Sequence, residues 1–284
     1  MADRTEKVQA YKEQEEKQLE KQFLTGIKDE DIGVYCDIFS AKSNIEGQDG
    51  GVVTSLLLKG LREGLFDVAV VVRRLQGDIA EAFVAQNPEE VLASKGTNYV
   101  RVNVTKKLRE LISQGKKRVA IVSTPCEAKA VRKIQQTTGK GCNLTVFGLF
   151  CFEAFNSNKL REETKARLGV DLDRATKTQV HQGKFLATVN GKEYSCRVKE
   201  LNAASEKACH FCTDFTSQFA DVSVGSVGSK QGYSTVIVRS PVGERLLSGN
   251  DFAKEAVDKQ EIIKLARLKS ERAEKSFAGL NAAK

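Results

Sequence analysis

Three apolar runs do most to limit what this chain can fold into: residues 68–72 (VAVVV), 118–123 (RVAIVS) and 143–150 (NLTVFGLF). Each is short, rich in β-branched residues and bounded by polar turns, which reads as a buried strand. Between and around them lie helical patterns at 52–64, 104–114, 125–135 and 160–168, with Gly64 a C-cap glycine for the first. Strands are also read at 33–40 and 81–86, and a short helix at 88–94. Such alternation argues for α/β layers up to about residue 170. Beyond it the pattern changes to β hairpins over 179–198, with Asn190-Gly191 a tight-turn pair. Two more strands, 221–226 and 234–239, flank a glycine-rich link. The ends are helical: a polar helix at 3–23 with a thin stripe of Val8, Tyr11, Leu19 and Phe23, and a basic amphipathic helix at 256–277. The expected fold class is α/β to α+β, a mixed-sheet α/β part followed by a β-rich part, with terminal helices. The expected divisions are an arm at 1–30, an α/β part at 31–170, a β-rich part at 171–250 and a C-terminal helix at 251–284.

With 284 residues, 40% of them hydrophobic, the chain can bury a substantial core. Residues 1–21 lack an apolar leader, and no run approaches the ~20 apolar residues of a membrane helix. The expectation is a cytoplasmic protein with no membrane insertion, whose seven cysteines are kept reduced for metal or redox work. The net charge of +8 is spread along the chain, there is no Trp, and aromatics make up only 7%. That composition gives no stacking platform for nucleic acid, and none is expected as a partner.

Cys209 and Cys212 form a C-x-x-C pair, a spacing that lets two thiolates chelate one metal. Cys126 and Cys151 each follow an apolar strand directly, where α/β sheets place their sites. A thioredoxin-like reading fails, because CHFC does not join a strand to a long helix. A zinc site would need a second close pair or a pair of histidines, and the chain has only His181 and His210. Spacing alone leaves iron–sulfur and zinc both open, and also leaves Cys126 and Cys151 readable as small core residues. Cys36, Cys142 and Cys196 read as structural.

Three glycine-rich turns accompany the cysteines. GQDGGVVT (47–54) opens a helix; it is either an N-cap built on Asp49 or bare backbone offered to a phosphate or flavin edge. KGTNY (95–99) and SVGSKQGYST (226–235) are the others. Together they point to a cofactor lying against exposed backbone.

In order and spacing, from about residue 34 to 250, the chain resembles the beta subunits of the coenzyme F420-reducing hydrogenases. The matching segments are QDGGVVTSLL (48–57), LASKGTNY (92–99), TPCEAKAVRK (124–133) and GLFCFEAF (148–155), then GKF (183–185), ACHFCTDFTSQFADVSVGSVGS (208–229) and GYSTVIVR (232–239). The resemblance implies FAD, one 4Fe–4S cluster and coenzyme F420, a deazaflavin, as substrate. It implies cluster ligands at Cys126, Cys151, Cys209 and Cys212. It implies cofactor contacts at Gln48, Asp49, Gly50, Gly51, Val52 and Thr54, at Lys95, Gly96, Thr97, Asn98 and Tyr99, and at Thr124 and Pro125. Ser226, Val227, Gly228, Ser229 and Lys184 are further candidates for the flavin or deazaflavin pocket. Lys95 and Lys184 are the expected side chains at the flavin's N1 and carbonyl edge, and Arg73, Arg74, Lys95 and Arg101 could attract the anionic deazaflavin tail.

The departures concern the partner: about 25 added N-terminal residues, Tyr233 in place of a Trp, and a short, basic 73–86 stretch. The implied partners are catalytic or electron-transfer subunits of a hydrogenase, formate dehydrogenase or heterodisulfide reductase complex. From a different class, a zinc-stabilised binding module drawn to nucleic acid is the competing reading.

Overall fold

The computed structural model describes residues 2–138 and 141–282, with side chains from 11 to 279. Eight strands form the main sheet. In chain order they are β3 (Asp37–Lys42), β4 (Val68–Gln76), β5 (Ile79–Ala85), β6 (Arg118–Ser123), β7 (Asn143–Leu149), β11 (Val222–Gly225), β12 (Ser234–Val238) and β13 (Ala253–Glu255). In space the order is β13-β3-β12-β11-β7-β6-β4-β5. The central four, β11, β7, β6 and β4, are parallel, and every outer pairing is antiparallel.

The central strands are buried on both faces, which explains their unbroken apolar runs. Ala69 and Val71 of β4 face one layer with α2 (Val52–Arg62) and α7 (Pro241–Leu247). Val68 and Val70 face the other, with α4 (Val104–Ser113) and α5 (Pro125–Thr138). Each fully buried aliphatic side chain contributes about 1.5–3 kcal/mol. Beside this body, β8 (Ala175–His181), β9 (Lys184–Val189) and β10 (Lys192–Arg197) form an antiparallel sheet that packs on α6 (Ser157–Leu168). Asn190 and Gly191 both take positive φ, 51° and 75°, as a two-residue hairpin turn requires.

The structure departs from the sequence expectations in three places. The 33–40 strand is broken at Cys36. Its first half is β2 (Gly33–Tyr35), which pairs with β1 (Ile27–Asp29) in a separate ribbon, and only its second half joins the main sheet as β3. The expected boundaries at 170 and 250 do not divide the main sheet, because β11, β12 and β13 complete it. The tail helix, α8 (Lys259–Ala282), starts three residues late: 253–255 is an edge strand, and Asp258 Oδ1 accepts from Gln260 N and Glu261 N at the helix start. The N-terminal helix α1 (Ala2–Phe23) rests on the body: Glu15 and Glu16 pair with Lys133 and Lys129 of α5, and Leu19 is fully buried. Tyr11 of its stripe is 67% exposed, and the side chain of Val8 lies outside the described residues. No described helix is long and apolar enough to cross a membrane.

Candidate functional site

The parallel pairing sends the C-terminal ends of β4, β6, β7 and β11 to one edge of the main sheet, and β3 runs the same way through the two antiparallel steps across β12. The loops that leave this edge carry most of the residues singled out from sequence. Such an edge is where open α/β sheets collect their ligands.

Cys126 sits in the first turn of α5, directly after β6, and is the exposed member of the set; Cys151 follows β7. Cys209 and Cys212 lie on a short 3-10 turn, Lys207–Phe211, and at its C-cap. The four sulfurs are near enough to act on one another. Burial pushes the Cys151 thiol up to about 12, and the three other thiols add to that against the opposing charge of Lys269. Cys126 is raised by burial, with Thr124 opposing and Cys212 and Cys209 adding. Cys209 is raised by burial, with the Ala154 N–H and Lys269 opposing. That N–H donates to Cys209 Sγ (3.4 Å), and Thr124 Oγ1 meets Cys126 Sγ (3.4 Å). Among the described residues no three His, Cys, Asp or Glu side chains gather tightly enough to hold a metal ion. The donor set this edge offers is the four thiols that act on one another. That chemistry fits a thiolate-held cluster. Cys142 points to Lys116 O at the opposite edge, Cys196 lies in β10, and Cys36 bonds Thr25 O, so none of these joins the set.

Sequence reasoning missed the scaffold behind the cysteines. Lys269 of α8, 1% exposed, donates to Cys151 O (2.5 Å) and Asp214 O (2.7 Å). Arg272, one turn on, donates to Phe152 O (2.9 Å), Cys209 O (3.1 Å) and Glu153 Oε2 (2.8 Å). The available signal was position: Ile262, Ala266, Lys269 and Ala273 are all buried and recur at helical spacing, so a lysine occupies a core position.

The second group centres on the 47–51 loop. Gly51, in a left-handed conformation (φ 66°), is the N-cap of α2, and no side chain caps the helix. The expected Asp49 cap is not formed. A methyl group on Gly51 would meet Ile45 O at 2.1 Å, so only glycine suits this corner. With no side chain capping it, the first turn of α2 turns its N–H groups outward in the arrangement that suits an anion.

Gln48 ties this loop to the 95–99 loop: its Oε1 accepts from Thr97 N (3.2 Å) and its Nε2 donates to Tyr99 OH (3.3 Å). Lys95 Nζ donates to Glu46 O (3.2 Å). Tyr99 OH in turn accepts from Val180 N of β8 (2.9 Å), bringing the small sheet against the loops. Burial raises the Asp49 carboxyl, opposed by the charges of Lys177 and His181 on β8. Arg74 is engaged by the protein itself: it bonds Thr97 O, Thr178 Oγ1 and Asn98 Oδ1, clasping the 95–99 loop to β8. Arg73 pairs with Glu81 and lies over the Phe83 ring. Arg101 is exposed, and the face of Gly96 is open.

The remaining positions are less convergent. Lys184 is exposed and pairs across a turn with His181. Pro125 is buried at the start of α5, and Thr124 bonds Glu127. The 226–229 turn faces α8: Gly228 O accepts from Asp258 N, and Ser229 bonds Thr235, which itself donates to Val227 O. Ser226 is exposed.

Two family models match the chain, the N-terminal (residues 38–109) and C-terminal (residues 116–262) regions of the coenzyme F420 hydrogenase/dehydrogenase beta subunit. The chain belongs to that family. It is 35% identical to coenzyme F420 hydrogenase subunit beta of Methanococcus voltae, over 72% of this chain and 75% of that protein. It is 36% identical to a coenzyme F420-dependent sulfite reductase of Methanocaldococcus jannaschii over 85% of this chain, and spans only 40% of that relative. A chain of the F420-reducing nickel–iron hydrogenase complex from Methanosarcina barkeri superposes with a TM-score of 0.82 at 29% identity, over 88% of this chain and 94% of that one. In this beta subunit fold the first region carries the 47–54 and 95–99 loops, the second carries all four cysteines and the 226–235 turn, and Lys269 and Arg272 lie beyond both.

Proposed function

We propose that this beta subunit passes electrons between coenzyme F420 and a partner protein, with FAD between the 47–54 and 95–99 loops and a 4Fe–4S cluster on Cys126, Cys151, Cys209 and Cys212. The observation that carries the reading is the meeting, at one sheet edge, of four mutually interacting thiols with an uncapped, glycine-cornered helix N-terminus. When bound, the flavin supplies the exchange between a hydride and single electrons, and the cluster supplies a one-electron site.

The chain's own groups bind and orient. The first-turn N–H groups of α2 are suited to a diphosphate, and the Gln48–Thr97–Tyr99 clasp fixes the gap between the two loops. Lys95, bonded to Glu46 O, and the exposed Lys184 of β9 are both proposed for the flavin's polar edge. Arg74 positions the 95–99 loop, which leaves Lys95 and Arg101 to attract an anionic substrate tail. The acceptor is another protein module of a larger redox complex: hydrogenase, formate dehydrogenase or heterodisulfide reductase in type. A relative of which this chain spans only 40%, the sulfite reductase, supports a choice wider than hydrogenase.

Protein prepared without oxygen is expected to be coloured, with flavin bands, a broad shoulder near ~400 nm and about four iron and four sulfide per chain. A colourless protein that contains zinc would overturn the reading.

A further inference from the structure

Two side chains of α8 gather the carbonyl groups of both cysteine-bearing loops. Lys269 takes those of Cys151 and Asp214, and Arg272 takes those of Phe152 and Cys209. The two cationic groups differ in one respect. Arg272 is paired with Glu153 at 2.8 Å, and its guanidinium also lies over the Phe152 ring. Lys269 is bonded only to neutral carbonyls, and among the described residues no carboxylate is within ion-pair distance of it. The Asp214 carboxylate accepts from Gln218 N instead. Lys269 is nevertheless 1% exposed, and its charge acts on both Cys151 and Cys209. The buried Asp214 carboxyl feels the charge of Lys269 but makes no direct bond to it, and a buried ammonium without a bonded carboxylate persists only where the surrounding structure holds it. Ala266 and Ala273 on the same stripe are buried as well, so Lys269 stands in the packed face of α8.

We propose that Lys269 is a positioning residue that sets the reduction potential of the thiolate-held centre, by holding one fixed positive charge behind Cys151 and Cys209. The inference rests on the reading of the four cysteines given above. Reduction of a cluster adds one electron and one negative charge, and a nearby cation stabilises that state. Carbonyl contacts alone would fix the loop geometry without favouring either oxidation state. Charge and geometry are therefore separable, since glutamine can donate hydrogen bonds to both carbonyls without the charge.

The test is the midpoint potential of the reconstituted cluster, read by redox titration of the full chain under anaerobic conditions. The proteins compared are the wild type, Lys269→Gln, Lys269→Met and Lys269→Arg, with iron and sulfide content measured in each. Lys269→Gln and Lys269→Met are expected to become harder to reduce by about tenfold in the equilibrium constant, ~59 mV for one electron, and Lys269→Arg to stay near the wild type. Should Lys269→Met not fold, Lys269→Gln against Lys269→Arg carries the same comparison. A wild-type potential in Lys269→Gln, with normal iron content, overturns the proposal and leaves Lys269 a geometric support. Failure of the wild type to take up iron and sulfide overturns the underlying reading instead, so the two failures are distinct.

Discussion

Replacing Cys151 by serine is expected to remove most of the iron and to slow electron transfer from reduced coenzyme F420 to a one-electron dye by at least ~100-fold. Flavin binding and the fold should survive. The loop is held by its backbone: Cys151 N donates to Phe215 O (2.9 Å), and Lys269 grips Cys151 O. A hydroxyl fits this space but is a poor ligand for iron. Cys142→Ser is the control, because Cys142 is a buried cysteine at the far edge of the sheet. Iron analysis, flavin extraction and dye reduction of the two variants decide it. Equal iron in Cys151→Ser and the wild type would remove Cys151 from the ligand set.

The largest stability effect is expected at Asp221, where β11 begins. Its side chain accepts from Val146 N (2.7 Å) and Ser240 Oγ (2.5 Å), and pairs with Arg132 of α5 at 2.9 Å. Both members of the pair are almost wholly buried. Asp221→Ala strands the guanidinium and a strand N–H together, so a loss of about 3–5 kcal/mol is expected. The double variant Asp221→Val with Arg132→Met should recover part of it, because no lone buried charge remains. Breaking the surface pair Lys133–Glu15 should cost less than ~1 kcal/mol. Denaturant unfolding of the four proteins measures all these differences. A single-variant loss no larger than the surface pair's would contradict the buried-network account.

What the sequence disclosed, and what it concealed, has a physical pattern. Strands buried on both faces advertise themselves: RVAIVS at 118–123 is β6 to the residue. The 33–40 segment was harder, since nothing in GVYCDIFS signals that its two halves choose different partners; the break is a tertiary choice, made when β2 pairs with β1. The membership of β11, β12 and β13 in the main sheet is likewise non-local and could not be read from short-range periodicity.

At the site, the cysteines and glycine turns were legible because few residue types do their work. Lysines and arginines were not, because the same side chain can be solvated, bridging or buried. Arg74 clasps the 95–99 loop to β8, and Lys269, part of a helix that reads as merely basic and amphipathic, reaches the Cys151 carbonyl. Only an apolar stripe interrupted by a lysine marked the latter.

On the function proposed here, one chain converts a hydride from a deazaflavin into single electrons. The most direct measurement mixes the anaerobically reconstituted protein with reduced coenzyme F420 and a one-electron dye, with NADH as the alternative donor. Rapid dye reduction with reduced coenzyme F420, lost in Cys151→Ser and absent with NADH, is the expected result. Turnover with NADH and none with reduced coenzyme F420 would contradict the account.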